Sequence, residues 1–197
     1  MVVDKSMLLR LATAADLAAI NAIYNHYVEH STCTYQTEPE TAAARQKWFD
    51  AHDAEYPVTV AEIAGQVVAW ASLSKYHARA AYKPTVENSV YVLHAFQRRG
   101  LGRALLEDLI ARATALGYHS IIAGISADQA ASVRLHSQLG FVRVGQLCEV
   151  GYKFDRWLDV LYMQRMLERD EGRGARGEGK TDEEPLQAGR GENAPIF

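Results

Sequence analysis

Cysteine is scarce in this chain. Among 197 residues only Cys33 and Cys148 occur, and their separation lacks the close spacing of metal-binding cysteines, so no metal site is expected. The two thiols could form one disulfide or remain free. For a reducing cytoplasm we expect two buried free thiols.

Long apolar runs and an excess of positive charge are also missing. No stretch approaches the ~20 apolar residues that span a bilayer. The opening residues, MVVDKSMLLR, lack the charged-then-apolar pattern of a signal peptide. The formal net charge of −3 gives no reason to expect a basic face for nucleic acid. We therefore expect a cytoplasmic protein that binds neither nucleic acid nor membrane.

The composition changes once, near residue 168. Hydrophobic residues make up 48% of the chain and charged residues 23%, which is ordinary for a globular protein whose length suits one domain. From Glu168 onward, glycine and charge dominate without apolar periodicity. We predict one domain over residues 1–167 and a disordered polar tail over 168–197.

Within the domain, periodicity predicts an α/β fold with the element order β-α-α-β-β-β-α-β-α-β-β. The predicted strands are 8–11, 57–63, 66–74, 89–93, 120–125, 141–150 and 157–166. The first helix follows a capping-box-like start at 13–16, and the other predicted helices are 41–51, 101–115 and 129–139. In the last helix, Ala131, Leu135 and Leu139 form the stripe expected to face the sheet.

The stretch HAFQRRGLGRALL stands between a β-prone segment and a helix. Free N–H groups at a helix N-terminus suit an anion, and Gly100 and Gly102 let the backbone approach a phosphate oxygen directly. Arg98, Arg99 and Arg103 add guanidinium groups that bind phosphate in a fork geometry. The pattern predicts a phosphate cradle, with a helix start that merely contains glycines as the alternative.

Two common nucleotide motifs do not fit this stretch. A Walker loop requires GxxxxGK[ST], and no such lysine is present. A dinucleotide fingerprint requires GxGxxG, and its third glycine position is Leu105. The cradle must therefore serve another phosphate compound.

The segment Gln97–Gly102 matches the Q/R-x-x-G-x-G/A signature of the GCN5-related N-acetyltransferase (GNAT) family, between a strand and a helix as that family requires. The chain also resembles the phosphinothricin and methionine sulfoximine acetyltransferase branch of this family. The segments that carry this resemblance are NAIYNHYVEHSTCTY, YPVTVAE, TVENSVYV, ASVRLHSQLGF and VGYKFDRWLDVLYMQ. Together they cover the globular part of the chain.

The resemblance implies the GNAT fold, a mixed and mostly antiparallel twisted sheet flanked by helices. It implies acetyl-CoA as co-substrate, held in a splay between two central strands. The residues that match the family's coenzyme-binding positions are Val90, Tyr91, Val92, Arg98, Arg99, Gly100, Leu101, Gly102, Arg103 and Gln129. Gln129 stands where the family commonly has Asn. A backbone N–H at Val92 or Leu93 is expected to polarise the thioester carbonyl.

Two residues are the candidates for proton transfer. Glu87 matches the glutamate proposed as general base in the branch; the alternative is a solvated glutamate at the end of a strand. His136 lies where many family members have a tyrosine that protonates the leaving thiolate. For His136 the roles of acid, proton relay and structural histidine remain open.

The segment SKYHARAAYKPTVE reads as a loop over the active site. We expect Arg79 to bind a substrate carboxylate. The predicted acceptor-binding residues are Ala78, Arg79, Ala80, Tyr82, Glu87, Asn88 and Ser89. Tyr35 is either part of an aromatic wall or a core residue. Trp157 could shape the opposite side of the site or a dimer interface, but a core position is the prediction we prefer for it.

The resemblance predicts an N-acetyltransferase acting on the α-amine of a phosphinothricin, methionine sulfoximine or methionine sulfone type acceptor, as a homodimer. Two alternatives are another amine acceptor (an ordinary amino acid, a polyamine or a protein N-terminus) and a coenzyme-A-binding regulatory module without turnover.

Overall fold

A seven-stranded sheet with four helices organises residues 7–167, the part of the chain that the computed structural model describes. The strands are β1 (Met7–Leu11), β2 (Val58–Ile63), β3 (Gln66–Lys75), β4 (Thr85–Val92), β5 (Ser120–Ser126), β6 (Val142–Lys153) and β7 (Arg156–Met166). The helices are α1 (Leu17–His30), α2 (Ala42–Asp50), α3 (Leu101–Ala115) and α4 (Ala130–Gln138). The predicted order of elements is confirmed. The tail predicted over 168–197 lies outside the described residues.

The strand order is β1-β2-β3-β4-β5-β7-β6. Only β4 and β5 run parallel, linked through α3, and every other neighbouring pair is antiparallel. The predicted mixed, mostly antiparallel sheet is therefore confirmed. None of the helices within residues 7–167 is long and apolar enough to cross a bilayer.

Each face of the sheet is covered by helices. On one face, α3 buries Leu105, Leu106 and Leu109 against the central strands. On the other face, α1 packs Ile20 and Ile23 onto β2 and β3. Because alternate side chains of a strand point to opposite faces, β4 contributes to both layers.

The α1–α2 layer is held by a buried cation. Arg45 is 2% exposed, forms an ion pair with Glu40 at 2.8 Å, and lies 4.6 Å from the ring of Trp48. A buried guanidinium needs such partners because desolvation of the charge is costly. Trp48 meets Trp70 edge to face, and Trp70 stacks on Tyr91 of β4 at 4.8 Å. This aromatic column fixes the position of Tyr91.

Strand β4 is longer than predicted. It begins at Thr85 rather than Ser89, so Glu87 lies inside the strand and not in the loop before it. The polar residues of TVENS concealed this part of the strand because strand periodicity is read from apolar side chains.

Two predictions about burial were wrong. Cys148 is exposed on β6, and Cys33 is only half-buried, although both thiols are free. Trp157 is 60% exposed on β7, which excludes the core position for the described part of the chain. Both exposed residues belong to the β6–β7 ribbon: Cys148 lies on the edge strand β6, and Trp157 lies at the start of β7, before the residues that pair with β5.

The β6–β7 ribbon is joined to the segment after α1 through a glycine. The Tyr35 hydroxyl donates to the Asp159 carbonyl at 2.8 Å, and the Cδ2–Cε2 edge of its ring occupies the space that a side chain at Gly151 would need. A methyl group on Gly151 would lie 2.5 Å from Tyr35 Cδ2. The contact therefore depends on the absence of a side chain at this position.

We predict that Gly151→Ala destabilises the fold by about 1–3 kcal/mol, because the ring or the strand must move to remove the overlap. The measurement is urea-induced unfolding. Gly145→Ala on the same strand is the control, since a methyl group there meets no atom within 4 Å. Equal free energies of unfolding for the two variants would contradict the packing argument.

Candidate active site

The two parallel strands of the sheet separate halfway along their length. Strands β4 and β5 pair only at Thr85–Ser120, Val86–Ile121 and Glu87–Ile122. Beyond Glu87, β4 continues to Val92 on its pairing with β3, and its other edge faces a cavity. Backbone N–H and C=O groups on an uncovered edge can pair with an extended ligand as an added strand would.

The cavity has a volume of about 490 Å³ and extends from the divergence of the strands to the start of α3. Gly100 precedes α3 with φ of 84°, and Arg98 also has a positive φ of 62°. These left-handed residues turn the chain so that the first N–H groups of α3, which have no intrahelical acceptor, lie at the cavity. The residues predicted to form the cradle thus lie at the end of the opening between the strands.

Charge at the cavity has one sign. Three arginines line it, Arg98, Arg103 and Arg134, and none of the residues lining it is an aspartate or a glutamate. Arg99, whose guanidinium group was predicted to bind phosphate, is not among the lining residues; that guanidinium lies 4.6 Å from the Phe96 ring. Such a cavity suits an elongated polyanion.

Glu87 lies at the divergence itself, half-buried on the α1 side of the sheet. Its Oε1 approaches the backbone of Gly124 so closely that a methyl group there would be 3.2 Å away. Burial raises the pKa of Glu87, and the electrostatic effect of the nearby His77 opposes that shift only in part. Glu87 therefore holds a proton at a higher pH than an ordinary carboxyl group.

His136 is a buried residue of α4 on the opposite face of the sheet, and it contacts strand β4 through Asn88. Its Nδ1 donates to the Ser132 carbonyl at 2.9 Å, because a carbonyl can only accept. Its Nε2 then accepts from Asn88 Nδ2 at 3.0 Å. Burial lowers the pKa of His136, so the neutral ring is favoured. Asn88 Oδ1 is buried without a hydrogen-bond partner among residues 7–167.

The stripe predicted to pack α4 on the sheet is partly wrong. Val133 and His136 are the buried residues of the helix, whereas Ala131 and Leu135 line the cavity. The apolar side of this short helix is therefore divided between the core and the site.

Gln129 lines the far wall of the cavity and belongs to a polar network. Its amide donates to Thr32 Oγ1 at 2.8 Å, and Thr32 donates to Asp128 at 2.8 Å. Burial raises the pKa of Asp128, but hydrogen bonds from Thr32, Ser126 and Arg156 outweigh it and hold the pKa below its ordinary value. The network ties the segment after α1 to the start of α4.

The same segment brings Cys33 to the cavity and is held by a buried lysine. Lys153 is 5% exposed, and its ammonium donates to the carbonyls of Ser31 at 2.8 Å and Thr34 at 2.9 Å. Burial lowers the pKa of Lys153 and raises that of the Cys33 thiol.

The cavity brings together most of the predicted site. The predicted residues that line it are Asn88, Ser89, Val90, Tyr91, Val92, Arg98, Gly100, Leu101, Gly102, Arg103, Gln129 and His136. The predicted acceptor loop does not reach its wall: Ala78, Arg79, Ala80 and Tyr82 are exposed in the connection between β3 and β4. Tyr35 packs against the β6–β7 ribbon and does not line the cavity either.

Several residues of the site escaped the sequence analysis. Tyr27 hydrogen-bonds the Val92 carbonyl and accepts from Gln97 at 2.7 Å, which ties α1 to the cradle. Arg134 adds a cation from α4, and Tyr162 lies near Glu87 from β7. Tyr27, Arg134 and Tyr162 all lie in segments that carry the family resemblance, but those segments do not indicate that these side chains meet at one site.

Comparison with known proteins agrees with this geometry. The acetyltransferase (GNAT) domain family matches residues 9–162. The chain is 43% identical over 163 residues to an L-methionine sulfoximine/L-methionine sulfone acetyltransferase of Salmonella typhimurium, covering 82% of this chain and 95% of that protein. It is 44% identical over 165 residues to a phosphinothricin N-acetyltransferase of Streptomyces viridochromogenes, covering 81% and 87% respectively.

A solved structure is similar over the same region. It is a GNAT superfamily phosphinothricin acetyltransferase from Sinorhizobium meliloti in complex with acetyl-CoA, with a TM-score of 0.81 and 36% identity over 87% of this chain and 95% of that one.

The diverging strands, the cradle and these similarities define the class: the chain belongs to the GNAT acetyltransferase family. It is an N-acetyltransferase, and acetyl-CoA is the co-substrate of this family.

Proposed function

We propose that this enzyme transfers the acetyl group of acetyl-CoA to the α-amine of a small amino-acid-like acceptor of the methionine sulfoximine, methionine sulfone or phosphinothricin type. The observation that carries the proposal is the cavity between β4 and β5, which begins at Asn88, directly after Glu87 at the last paired position of β4, and reaches the cradle at its other end. Glu87 itself does not line this cavity. The acceptor class is inferred from the compounds named for the relatives, methionine sulfoximine, methionine sulfone and phosphinothricin. Acetylation would remove the basic amine of such a compound, which is a route to resistance against toxic amino-acid analogues.

The coenzyme fits this cavity by its chemistry. Its pyrophosphate is assigned to the first N–H groups of α3, and its extended arm to the free edge of Val90, Tyr91 and Val92. A methyl group on Gly102 would lie 3.7 Å from Val92 and 3.4 Å from Leu135, so it would fill the space between β4 and α4 that the glycine leaves open. The positive charges of the three arginines at the cavity balance the negative charge of the phosphates.

In the proposed reaction, Glu87 removes a proton from the acceptor's ammonium group, and the neutral amine attacks the thioester carbon. The carbon–sulfur bond breaks and the sulfur leaves as a thiolate, which takes up the second proton that the nitrogen loses as the amide forms. The raised pKa of Glu87 suits a base that must accept a proton from an amine. We assign His136 an indirect role, orienting the Asn88 amide, because its Nε2 carries no proton in the observed arrangement.

The proposal is tested by an acceptor screen that measures thiol release from acetyl-CoA. The panel contains methionine sulfoximine, methionine sulfone, phosphinothricin, free amino acids, polyamines and peptides with free N-termini. Release with the first three is expected. Release only with another amine would identify a different acceptor class, and coenzyme binding without any release would identify a regulatory module.

Glu87→Gln should lower kcat by roughly 10²–10⁴-fold, as for the loss of a general base, with little change in acetyl-CoA affinity. It should also keep or raise the melting temperature. A carboxyl group whose pKa is raised by folding costs stability as pH rises through that pKa, and glutamine has no such charge. The acidic limb of the rate profile should lie above the usual carboxyl range in the parent enzyme.

The exposed Glu38→Gln is the matched control for the loss of one carboxylate. Undiminished turnover in Glu87→Gln would remove Glu87 from the mechanism. A lower melting temperature in that variant would show instead that the carboxylate stabilises the fold.

Arg79→Ala should raise KM for a carboxylate-bearing acceptor and leave KM for acetyl-CoA unchanged, because we propose that this exposed loop residue binds the α-carboxylate. Steady-state kinetics with both substrates varied make the measurement. Lys83→Ala is the control in the same loop, since Lys83 makes only a distant 3.8 Å ion pair with Glu55. An acceptor KM that does not change would refute the carboxylate contact.

We propose that the enzyme acts as a cytoplasmic homodimer through the β6–β7 ribbon. Six large apolar side chains there are 51–63% exposed: Val142, Val144, Val150, Tyr152, Phe154 and Trp157. An apolar edge strand of this length needs cover to avoid uncontrolled association. Sedimentation should give a dimer that Val144→Lys dissociates, whereas Leu8→Lys, exposed on β1 at the other edge, should not. A monomeric parent enzyme would contradict the proposal.

A further inference from the structure

Helix α4 forms the wall of the cavity opposite the cradle. Leu135 of α4 lies so close to the first turn of α3 that a methyl group on Gly102 would be 3.4 Å from its Cδ2. Arg134 precedes Leu135 and also lines the cavity, as does Gln138 one turn further along the helix. A cation and an amide on α4 therefore border the same space as the free N–H groups of α3.

The guanidinium group of Arg134 is not paired with a carboxylate in the described part of the chain. Of the arginines that line the cavity, Arg103 forms an ion pair with Glu107 at 2.9 Å. Arg134 has no ion-pair partner within residues 7–167, and its guanidinium makes no hydrogen bond there. Because no carboxylate lines the cavity, an anion placed there meets no negatively charged side chain among the lining residues.

The cradle alone does not account for this cation. The first N–H groups of α3 are assigned to the pyrophosphate, whereas coenzyme A carries three phosphate groups, two in the pyrophosphate and one on the ribose. A guanidinium group on the facing helix can bind a further phosphate oxygen pair bidentately.

We infer that Arg134 binds a phosphate group of the coenzyme, so that α4 and the start of α3 form two sides of one phosphate clamp. The inference rests on the proposed use of acetyl-CoA and adds a residue to its recognition. Arg134 acts at the phosphate end, away from Glu87, and therefore contributes to coenzyme affinity and not to the acetyl-transfer step.

The test compares the full-length enzyme with Arg134→Ala and Arg134→Lys by calorimetric titration with acetyl-CoA. Loss of a charge-assisted contact should raise Kd by roughly 10- to 100-fold in Arg134→Ala and by less in Arg134→Lys, with kcat at saturating coenzyme unchanged. Added salt should reduce the difference in acetyl-CoA affinity between the parent enzyme and Arg134→Ala, because it screens the charge interaction. Lys47→Ala, which removes one exposed cation from α2, is the control and should bind as the parent does.

A second ligand, acetyl-dephospho-CoA, identifies which phosphate is bound. If Arg134→Ala and the parent bind this ligand equally, the contact is with the ribose phosphate. If Arg134→Ala loses affinity for both ligands by the same factor, the contact is with the pyrophosphate.

Equal acetyl-CoA affinity in Arg134→Ala and the parent would overturn the inference while leaving the proposed function in place. Failure of the parent enzyme itself to bind acetyl-CoA would overturn both. A fall in kcat at saturating coenzyme, with Kd unchanged, would also overturn the inference by giving Arg134 a different role.

Discussion

The short parallel pairing of β4 and β5 is the constraint on which the site depends. After three paired residues the strands diverge, and backbone groups that would otherwise bond to each other are left at the edge of β4. Unpaired backbone groups in a protein interior are costly, so the opening is stable only where a ligand or water can satisfy them. The helices α3 and α4, the cradle and Glu87 are all arranged around this one interruption of the sheet.

The two faces of β4 separate the tasks of the site. Glu87 and Tyr91 point toward the α1–α2 layer, where Arg45 and Trp70 hold the aromatic column. Asn88 points the other way, to His136 and α4. A single strand can therefore place the Glu87 carboxyl group on one face of the sheet and the Asn88 amide on the other, because successive residues alternate.

Local patterns were predictable from the sequence, and long-range ones were not. The cradle at Gly100 and Gly102 depends on residues close together in the chain, and the order of elements follows from apolar periodicity. The bond between Thr32 and Asp128 joins residues 96 positions apart, and no local pattern indicates it. The start of β4 and the exposed position of Trp157 were missed for a related reason: a polar strand residue that lines a cavity, or an apolar one at a sheet edge, breaks the usual relation between hydrophobicity and burial.

The way Lys153 fixes the segment after α1 affects which substitutions that segment can accept. The ammonium group donates hydrogen bonds to the main-chain carbonyls of Ser31 and Thr34 and not to their side chains. The path of this segment is thus independent of the side chain at Cys33, which faces the cavity. Evolution can vary that side chain, and with it the shape of the cavity, while the supporting scaffold stays in place.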